Sequence, residues 1–254
     1  MEAFDRVYSH PTATMKHFAF LPLLFLAAFA SAEVPKSVAT TPVERPEPNC
    51  KVRHEKFNEV SKAGEAQVVF LGDSITQGWE GKGKAMWEQH FAPMKAANFG
   101  TGGDRTEHVL WRLANGNFDG LKPKLVVLMI GTNNTGHQGR DGYVCTAEQT
   151  ADGVMEILAV LEKKCPEAKV LLLGIFPRGA DAMDAKRKQN DATNAIIKGY
   201  ADGKRVFWKD LGSVFLEKDG TLSKEIMPDL LHLNEKGYQM WAEAILPDVT
   251  ALMK

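Results

Sequence analysis

Val68-Val69-Phe70-Leu71-Gly72-Asp73-Ser74-Ile75-Thr76-Gln77-Gly78 is the stretch whose reading decides the fold. Four consecutive apolar residues, two of them β-branched, read as a strand buried on both faces, as found inside parallel sheets. Gly72 and Asp73 end the run, and Ser74 stands where the strand gives way to a turn. In open α/β sheets that carboxyl-terminal rim is where ligands bind. Taken alone, Ser74 reads equally well as the N-cap of a following helix.

Outward from this stretch, apolar runs and helical patterns alternate. Strands are expected at Gln67–Leu71, Met94–Phe99, Leu125–Ile130, Val170–Leu173 and Arg205–Trp208. A first helix is expected over Cys50–Ala63. A second opens with Asp104 or Thr106 as cap and carries Val109, Leu110 and Leu113 at helical spacing. Others are expected over Thr146–Lys164, Ala185–Tyr200 and Asn234–Met253. Strand alternating with helix means an α/β fold: a three-layer α/β/α sandwich around a parallel sheet of about five strands, in one domain over residues 50–254.

The amino terminus carries an export signal. Met15-Lys16-His17 is a short basic region, Phe18–Phe29 an apolar run, and Ala30-Ser31-Ala32 a small-residue cleavage site. Residues 1–14 precede that signal and read as an upstream extension, with Met1 and Met15 both open as the start. The mature protein then begins near Glu33 and is periplasmic or extracellular. Residues 33–49 hold four prolines without apolar periodicity and read as an extended linker.

Composition narrows the partners. The 254 residues are 44% apolar and 25% charged, ordinary for a soluble globular protein, and a net charge of −1 gives no reason to expect nucleic acid or an anionic membrane surface. No stretch reaches the ~20 apolar residues of a membrane span. Of the three cysteines, Cys145 and Cys165 bracket one helix, whose length would separate their Cα atoms by roughly 30 Å, beyond disulfide reach. Any bridge must include Cys50. No Cys or His spacing suits a metal, so none is expected.

The polar signals cluster at strand ends: Ser74 after the first, Gly103 after the second, Asn133 after the third, with Asp229-Leu230-Leu231-His232 in the loop before the last helix. Acyl transfer needs such a set. A serine hydroxyl attacks only when a base removes its proton, and imidazole titrates in the right range. An acid three residues before a histidine can fold back onto it, fix its tautomer and stabilise its charged form. A glycine N–H and an asparagine amide can join the serine N–H as donors to a developing oxyanion.

Gly72-Asp73-Ser74, Gly100-Thr101-Gly102-Gly103-Asp104, Gly131-Thr132-Asn133-Asn134 and Asp229-Leu230-Leu231-His232 resemble, in order, the sequence blocks of the SGNH, or GDSL-type, hydrolases. The resemblance runs from about Val68 to the carboxyl terminus. His108-Val109-Leu110-Trp111-Arg112-Leu113, Asn115-Gly116, Pro123-Lys124 and Pro177-Arg178-Gly179 are further similar to platelet-activating-factor acetylhydrolase catalytic subunits. By position, the resemblance implies Ser74 as nucleophile, Asp229 and His232 as its partners, and an oxyanion hole of Ser74, Gly103 and Asn133. It implies a flavodoxin-like fold, no cofactor, and subunits that pair, so a homodimer is open. The sequence around Ser74 is not the G-x-S-x-G elbow, which speaks against the α/β-hydrolase fold. Those acetylhydrolase subunits are cytosolic whereas this chain carries an export signal, so a shared substrate does not follow.

Other residues have plainer readings. His54, His90 and His108 fall on helices as solvated or hydrogen-bonded side chains, while His137 is a candidate for the pocket rim. Asp73, adjacent to the nucleophile candidate, reads as a loop brace. Asn134 competes with Asn133 as oxyanion donor. Arg178 either contacts an acidic substrate group or pairs with a carboxylate. Lys186-Arg187-Lys188 reads as a solvated helix face. The expected activity is hydrolysis of a small acyl ester, acetyl above all and carbohydrate or other small acetyl esters in particular. Two rivals remain: a lysophospholipase or thioesterase taking longer chains, and a non-catalytic carbohydrate- or partner-binding module on a hydrolase fold.

Overall fold

The apolar runs become five parallel strands: β1 (Val68–Gly72), β2 (Ala96–Gly100), β3 (Leu125–Met129), β4 (Lys169–Leu173) and β5 (Val206–Lys209), in the order β2-β1-β3-β4-β5. A computed structural model describes residues 37–136 and 144–254; the expected export signal lies outside them. Five main helices follow in chain order: α1 (Pro48–Ala63), α2 (Thr106–Ala114), α3 (Ala147–Lys164), α4 (Ala185–Ile197) and α5 (Glu235–Leu252).

Alternate strand residues build two separate cores, because successive side chains of a strand point to opposite faces. Val69, Leu71, Val126, Leu128, Val170 and Leu172 pack with Phe57 of α1, Val109 and Leu113 of α2, Val154, Ile157 and Leu161 of α3 and Ile197 of α4. Val68, Phe70, Leu125, Val127, Leu171 and Leu173 face the other way, onto Tyr238, Trp241, Ile245 and Val249 of α5. The second layer is completed by short helical turns, whose Trp79, Phe91 and Phe215 are fully buried. Trp79 stacks within 4.8 Å of Tyr238 and 4.6 Å of Trp241, centroid to centroid. Burying each such side chain contributes roughly 1.5–3 kcal/mol, so these turns are anchored as firmly as a regular helix would be.

The strand order reverses direction between β1 and β3. At such a switch point the connections leave on opposite sides and open a crevice at the carboxyl ends. Ser74 follows β1 there and Asn133 follows β3. The Ser74–Gln77 helical turn sits directly on the paired ends of β1 and β2, where Gly72 is in register with Gly100. A Cβ at Gly100 would overlap the Gln77 backbone nitrogen, and one at Gly72 would overlap Thr76 Oγ1. The turn can approach only because both positions lack side chains.

Two expectations require correction. The proline-rich segment 33–49 is not a free linker over its described part. Ala39 is buried, its carbonyl accepts from Thr106 Oγ1 at 2.9 Å, and Val43 N–H donates to the Glu107 carbonyl at 3.1 Å. Backbone hydrogen bonds and one buried charge pairing, rather than an apolar period, hold this strap, which is why no periodicity marked it. The cap of α2 is also neither Asp104 nor Thr106 but Arg105, whose N–H donates to His108 Nδ1 at 3.1 Å. Asp104 is drawn inward by the guanidiniums of Arg112 (2.9 Å) and Arg45 (3.3 Å). Cys50, Cys145 and Cys165 are buried free thiols.

Gly100→Ala tests the close approach at β2. The displaced Gln77 backbone is expected to cost about 1–3 kcal/mol in denaturant unfolding, whereas Gly199→Ala, where a Cβ meets nothing within 4 Å, stays within about 0.5 kcal/mol of the parent. Equal effects at the two positions would refute the packing argument.

Candidate active site

Two loops from distant parts of the chain meet over the switch point. The Ser74 hydroxyl donates to His232 Nε2 at 2.8 Å, and His232 Nδ1 donates to Asp229 Oδ2 at 2.6 Å. This pattern requires the tautomer with its proton on Nδ1, leaving the Nε2 lone pair facing the serine. Asp229 Oδ1 meanwhile accepts from the backbone N–H groups of His232 (2.7 Å) and Leu231 (3.1 Å). Folding back this tightly places Leu230 at φ +59°, a left-handed conformation unusual for a leucine. Burial raises the Asp229 pKa, but the hydrogen bonds from the His232 ring and backbone outweigh it and hold the carboxyl below its ordinary range.

Asp73 caps the serine turn: its Oδ1 accepts from Ile75 N–H at 2.9 Å. Tyr238 Oη donates to the Ile75 carbonyl at 2.7 Å, tying that turn to α5. Burial pushes the Asp73 carboxyl up from 3.8 to about 7, against the opposing influence of the Ile75 N–H and of His232.

The strand-end loops bring donors to the same rim. Gly103 has φ +79°, which suits glycine. Its neighbour Gly102 donates its N–H to Gln77 Oε1 at 2.7 Å, but the N–H groups of Gly103 and Ser74 have no hydrogen-bond partner among the described residues. Asn133, on the helical turn Thr132–Thr135, uses one amide proton on the Asp104 carbonyl at 2.9 Å, which leaves its second. Asn134 is committed elsewhere: its amide donates to Thr106 Oγ1 (3.0 Å) and Glu107 Oε2 (3.2 Å) and its oxygen accepts from Thr106 N–H. His137 lies outside the described residues.

Among the described residues Arg178 makes no hydrogen bond to a carboxylate, although the charges of Asp184, Asp73 and Asp229 partly offset its burial. Its Nη1 donates to the Thr132 carbonyl (3.0 Å), Thr132 Oγ1 (3.3 Å) and Thr135 Oγ1 (3.2 Å), supporting the Asn133 turn from below. The reading of Lys186-Arg187-Lys188 as a solvated face fails at its centre. Arg187 is buried and donates to the carbonyls of Arg178 (2.8 Å), Gly179 (2.7 Å) and Gly220 (2.8 Å). Its burial follows from α4 turning Arg187, Asn190, Thr193 and Ile197 inward together. That period of three to four was present in the sequence, but on polar residues, where an apolar pattern does not register it. Gly179 N–H in turn donates to the Leu230 carbonyl at 2.9 Å, so Arg187 reaches the Asp229–His232 loop through one intervening residue.

Comparison with known proteins places these features. Residues 70–240 match the model of the GDSL-like lipase/acylhydrolase family. The chain is 38% identical over 185 residues to the human platelet-activating factor acetylhydrolase IB subunit alpha1, covering 73% of this chain and 76% of that protein. Among solved structures, an acetyl xylan esterase aligns with a TM-score of 0.57 at 25% identity, covering 72% of this chain and 98% of its own. An acetylxylan esterase from Geobacillus stearothermophilus aligns with a TM-score of 0.60 at 18% identity, covering 74% and 96%, a likeness of fold.

Asp73→Asn removes the titration of that buried carboxyl. Because folding raises its pKa, Asp73 contributes stability at low pH that is lost as pH rises from about 4 through about 7. The unfolding free energy of the parent relative to the variant is therefore expected to increase as pH falls across that window, with a slope up to about 1.4 kcal/mol per pH unit. Parallel pH profiles for the two proteins would contradict the assignment.

Proposed function

The chain belongs to the GDSL-like lipase/acylhydrolase family, and from that membership we propose that it is a serine esterase hydrolysing small acyl esters, acetyl esters first. The observation that carries the reading is the continuous hydrogen-bond chain from Ser74 through His232 to Asp229. Ser74 Oγ attacks the ester carbonyl as its proton passes to His232 Nε2. Asp229, held ionised by three hydrogen bonds, stabilises the imidazolium that results. The oxyanion is received by the N–H groups of Ser74 and Gly103 and the free amide proton of Asn133, each donor worth about 10²–10³ in rate where such donors have been removed. The imidazolium returns its proton to the departing alcohol. Water then attacks the acyl-enzyme with His232 again as base.

The named activities of the relatives support an acetyl preference: a platelet-activating factor acetylhydrolase subunit and acetyl xylan esterases both remove acetyl groups. Among the described residues no helix is long and apolar enough to cross a membrane, and the family suggests a small-molecule substrate. Export belongs to the same proposal and rests on the basic, apolar and small-residue succession from Met15 to Ala32.

Turnover of p-nitrophenyl esters of increasing chain length tests the assignment. The parent is expected to be fastest on the acetate, and Ser74→Ala to lose at least about 10³-fold in kcat/KM while unfolding at the same temperature. A rate maximum at longer chains would move the substrate to lipids or thioesters. Undiminished turnover in the variant would exclude Ser74 as nucleophile.

A further inference from the structure

The turn that carries Gly103 has two states open to it, and the group that selects between them lies in the strap of residues 37–47. Asp104 N–H closes the turn on the Thr101 carbonyl at 3.1 Å, with Gly102 and Gly103 at its centre. Gly103 at φ +79° makes the turn type II. A type I turn would put that residue at about −90° and face the Gly102–Gly103 peptide the opposite way. Both states close the same hydrogen bond, and glycine at both central positions accepts either, so side-chain sterics do not decide. The choice matters chemically because a trans peptide points its C=O and its N–H in opposite directions. Whichever side the Gly102 carbonyl faces, the Gly103 N–H faces the other.

Arg45 holds that carbonyl. Its Nη1 donates to the Gly102 carbonyl at 3.2 Å and to Asp104 Oδ1 at 3.3 Å. Its Nε and Nη2 donate to the two oxygens of Glu47 at 3.0 and 2.9 Å. A planar fork gripped on both sides keeps little freedom, so the carbonyl is met by a donor of fixed position. The preceding peptide ties the turn to the serine: Gly102 N–H donates to Gln77 Oε1 at 2.7 Å, and a Cβ at Gly102 would lie 3.8 Å from Ser74 Cβ. With its carbonyl turned to Arg45, the central peptide turns its N–H away from the strap. That N–H has no hydrogen-bond partner among the described residues. A cation on the carbonyl oxygen also polarises the peptide and strengthens its N–H as a donor. Arg45 falls outside residues 70–240, the span that the family model matches, so the family's sequence blocks do not reach it.

We propose that Arg45 is a positioning residue: its grip on the Gly102 carbonyl fixes the Gly102–Gly103 peptide in the orientation that presents the Gly103 N–H to the oxyanion. The proposal rests on the esterase reading above. Arg45 acts through that peptide and takes no part in bond making.

Turnover of p-nitrophenyl acetate is measured with the parent, Arg45→Met, Arg45→Lys and Glu47→Ala. Inhibition by phenylboronic acid, which forms a negatively charged tetrahedral adduct on a reactive serine, is measured beside it. Formation and breakdown of the acyl-enzyme both pass through an oxyanion, so a misplaced donor slows both steps and leaves KM nearly in place. A peptide free to flip, productive about 1–10% of the time, is expected to lower kcat about 10- to 100-fold in Arg45→Met, with KM within about twofold. The inhibition constant is expected to rise by a similar factor. Arg45→Lys, which keeps a cation for the carbonyl, is expected to recover most of the loss. Asp104 keeps its pairing with Arg112 at 2.9 Å in each variant. Glu47 is exposed, so Glu47→Ala loosens the fork without disturbing the core; its kcat is expected to fall about threefold at unchanged KM, and it carries the test should Arg45→Met fail to fold. An unchanged kcat in Arg45→Met and Glu47→Ala, or a loss carried by KM with inhibition unmoved, would overturn the role of Arg45 and leave the esterase reading standing. No turnover by the parent would overturn both.

Discussion

A carboxylate shut away from water must be paired, and Asp104 shows how much structure that requirement can organise. It is wholly buried, with the Arg112 guanidinium on one oxygen and that of Arg45 on the other. Arg112 goes on to donate to the Phe99 carbonyl and to Asn117 Oδ1, so the end of β2, the body of α2 and the turn that follows are bound through one cation. Arg45 brings the strap of residues 37–47 onto the Gly102 carbonyl. The Asp104 carbonyl holds Asn133. Removing one partner of such a group leaves a charge stranded in a dry environment, which costs far more than the pairing contributes. The loop carrying Gly103 is thus held by electrostatic necessity, not by apolar packing.

The two faces of the sheet divide the work. On one, regular helices pack against Val69, Leu71, Val126 and Leu128. On the other, α5 shares the cover with short turns held by Trp79, Phe91 and Phe215. The groups of the candidate site come from the connections between these layers. Ser74 rides on a turn pressed against glycines, and His232 on a loop pinned by Asp229 and by Gly179. A rigid base with adjustable connections fits what a reaction centre needs, because small errors in donor position are expensive in rate.

The sheet was readable from the sequence because buried parallel strands are continuous apolar runs. Each observed strand begins and ends within one or two residues of its run. The meeting of Ser74 with Asp229 and His232 was readable because strand ends and the pre-helix loop of such a fold face one rim. What escaped was held by polar forces. The strap carries no hydrophobic period. Arg187 looked like surface charge, although three backbone carbonyls solvate it in place of water. Asn133 and Asn134 differ by one position, and only the three-dimensional turn shows that Asn134 spends its amide on α2.

Ser74 and His232 stand 158 positions apart along the chain. Closing a loop of that length carries an entropic cost, and proteins dominated by such distant pairings fold slowly. The histidine also lies just ahead of α5, so its place depends on where that helix packs. A chain in which α5 has not yet packed on Trp79 therefore has no fixed partner for the Ser74 hydroxyl. The contact between two side chains so far apart is thus a marker of the completed fold.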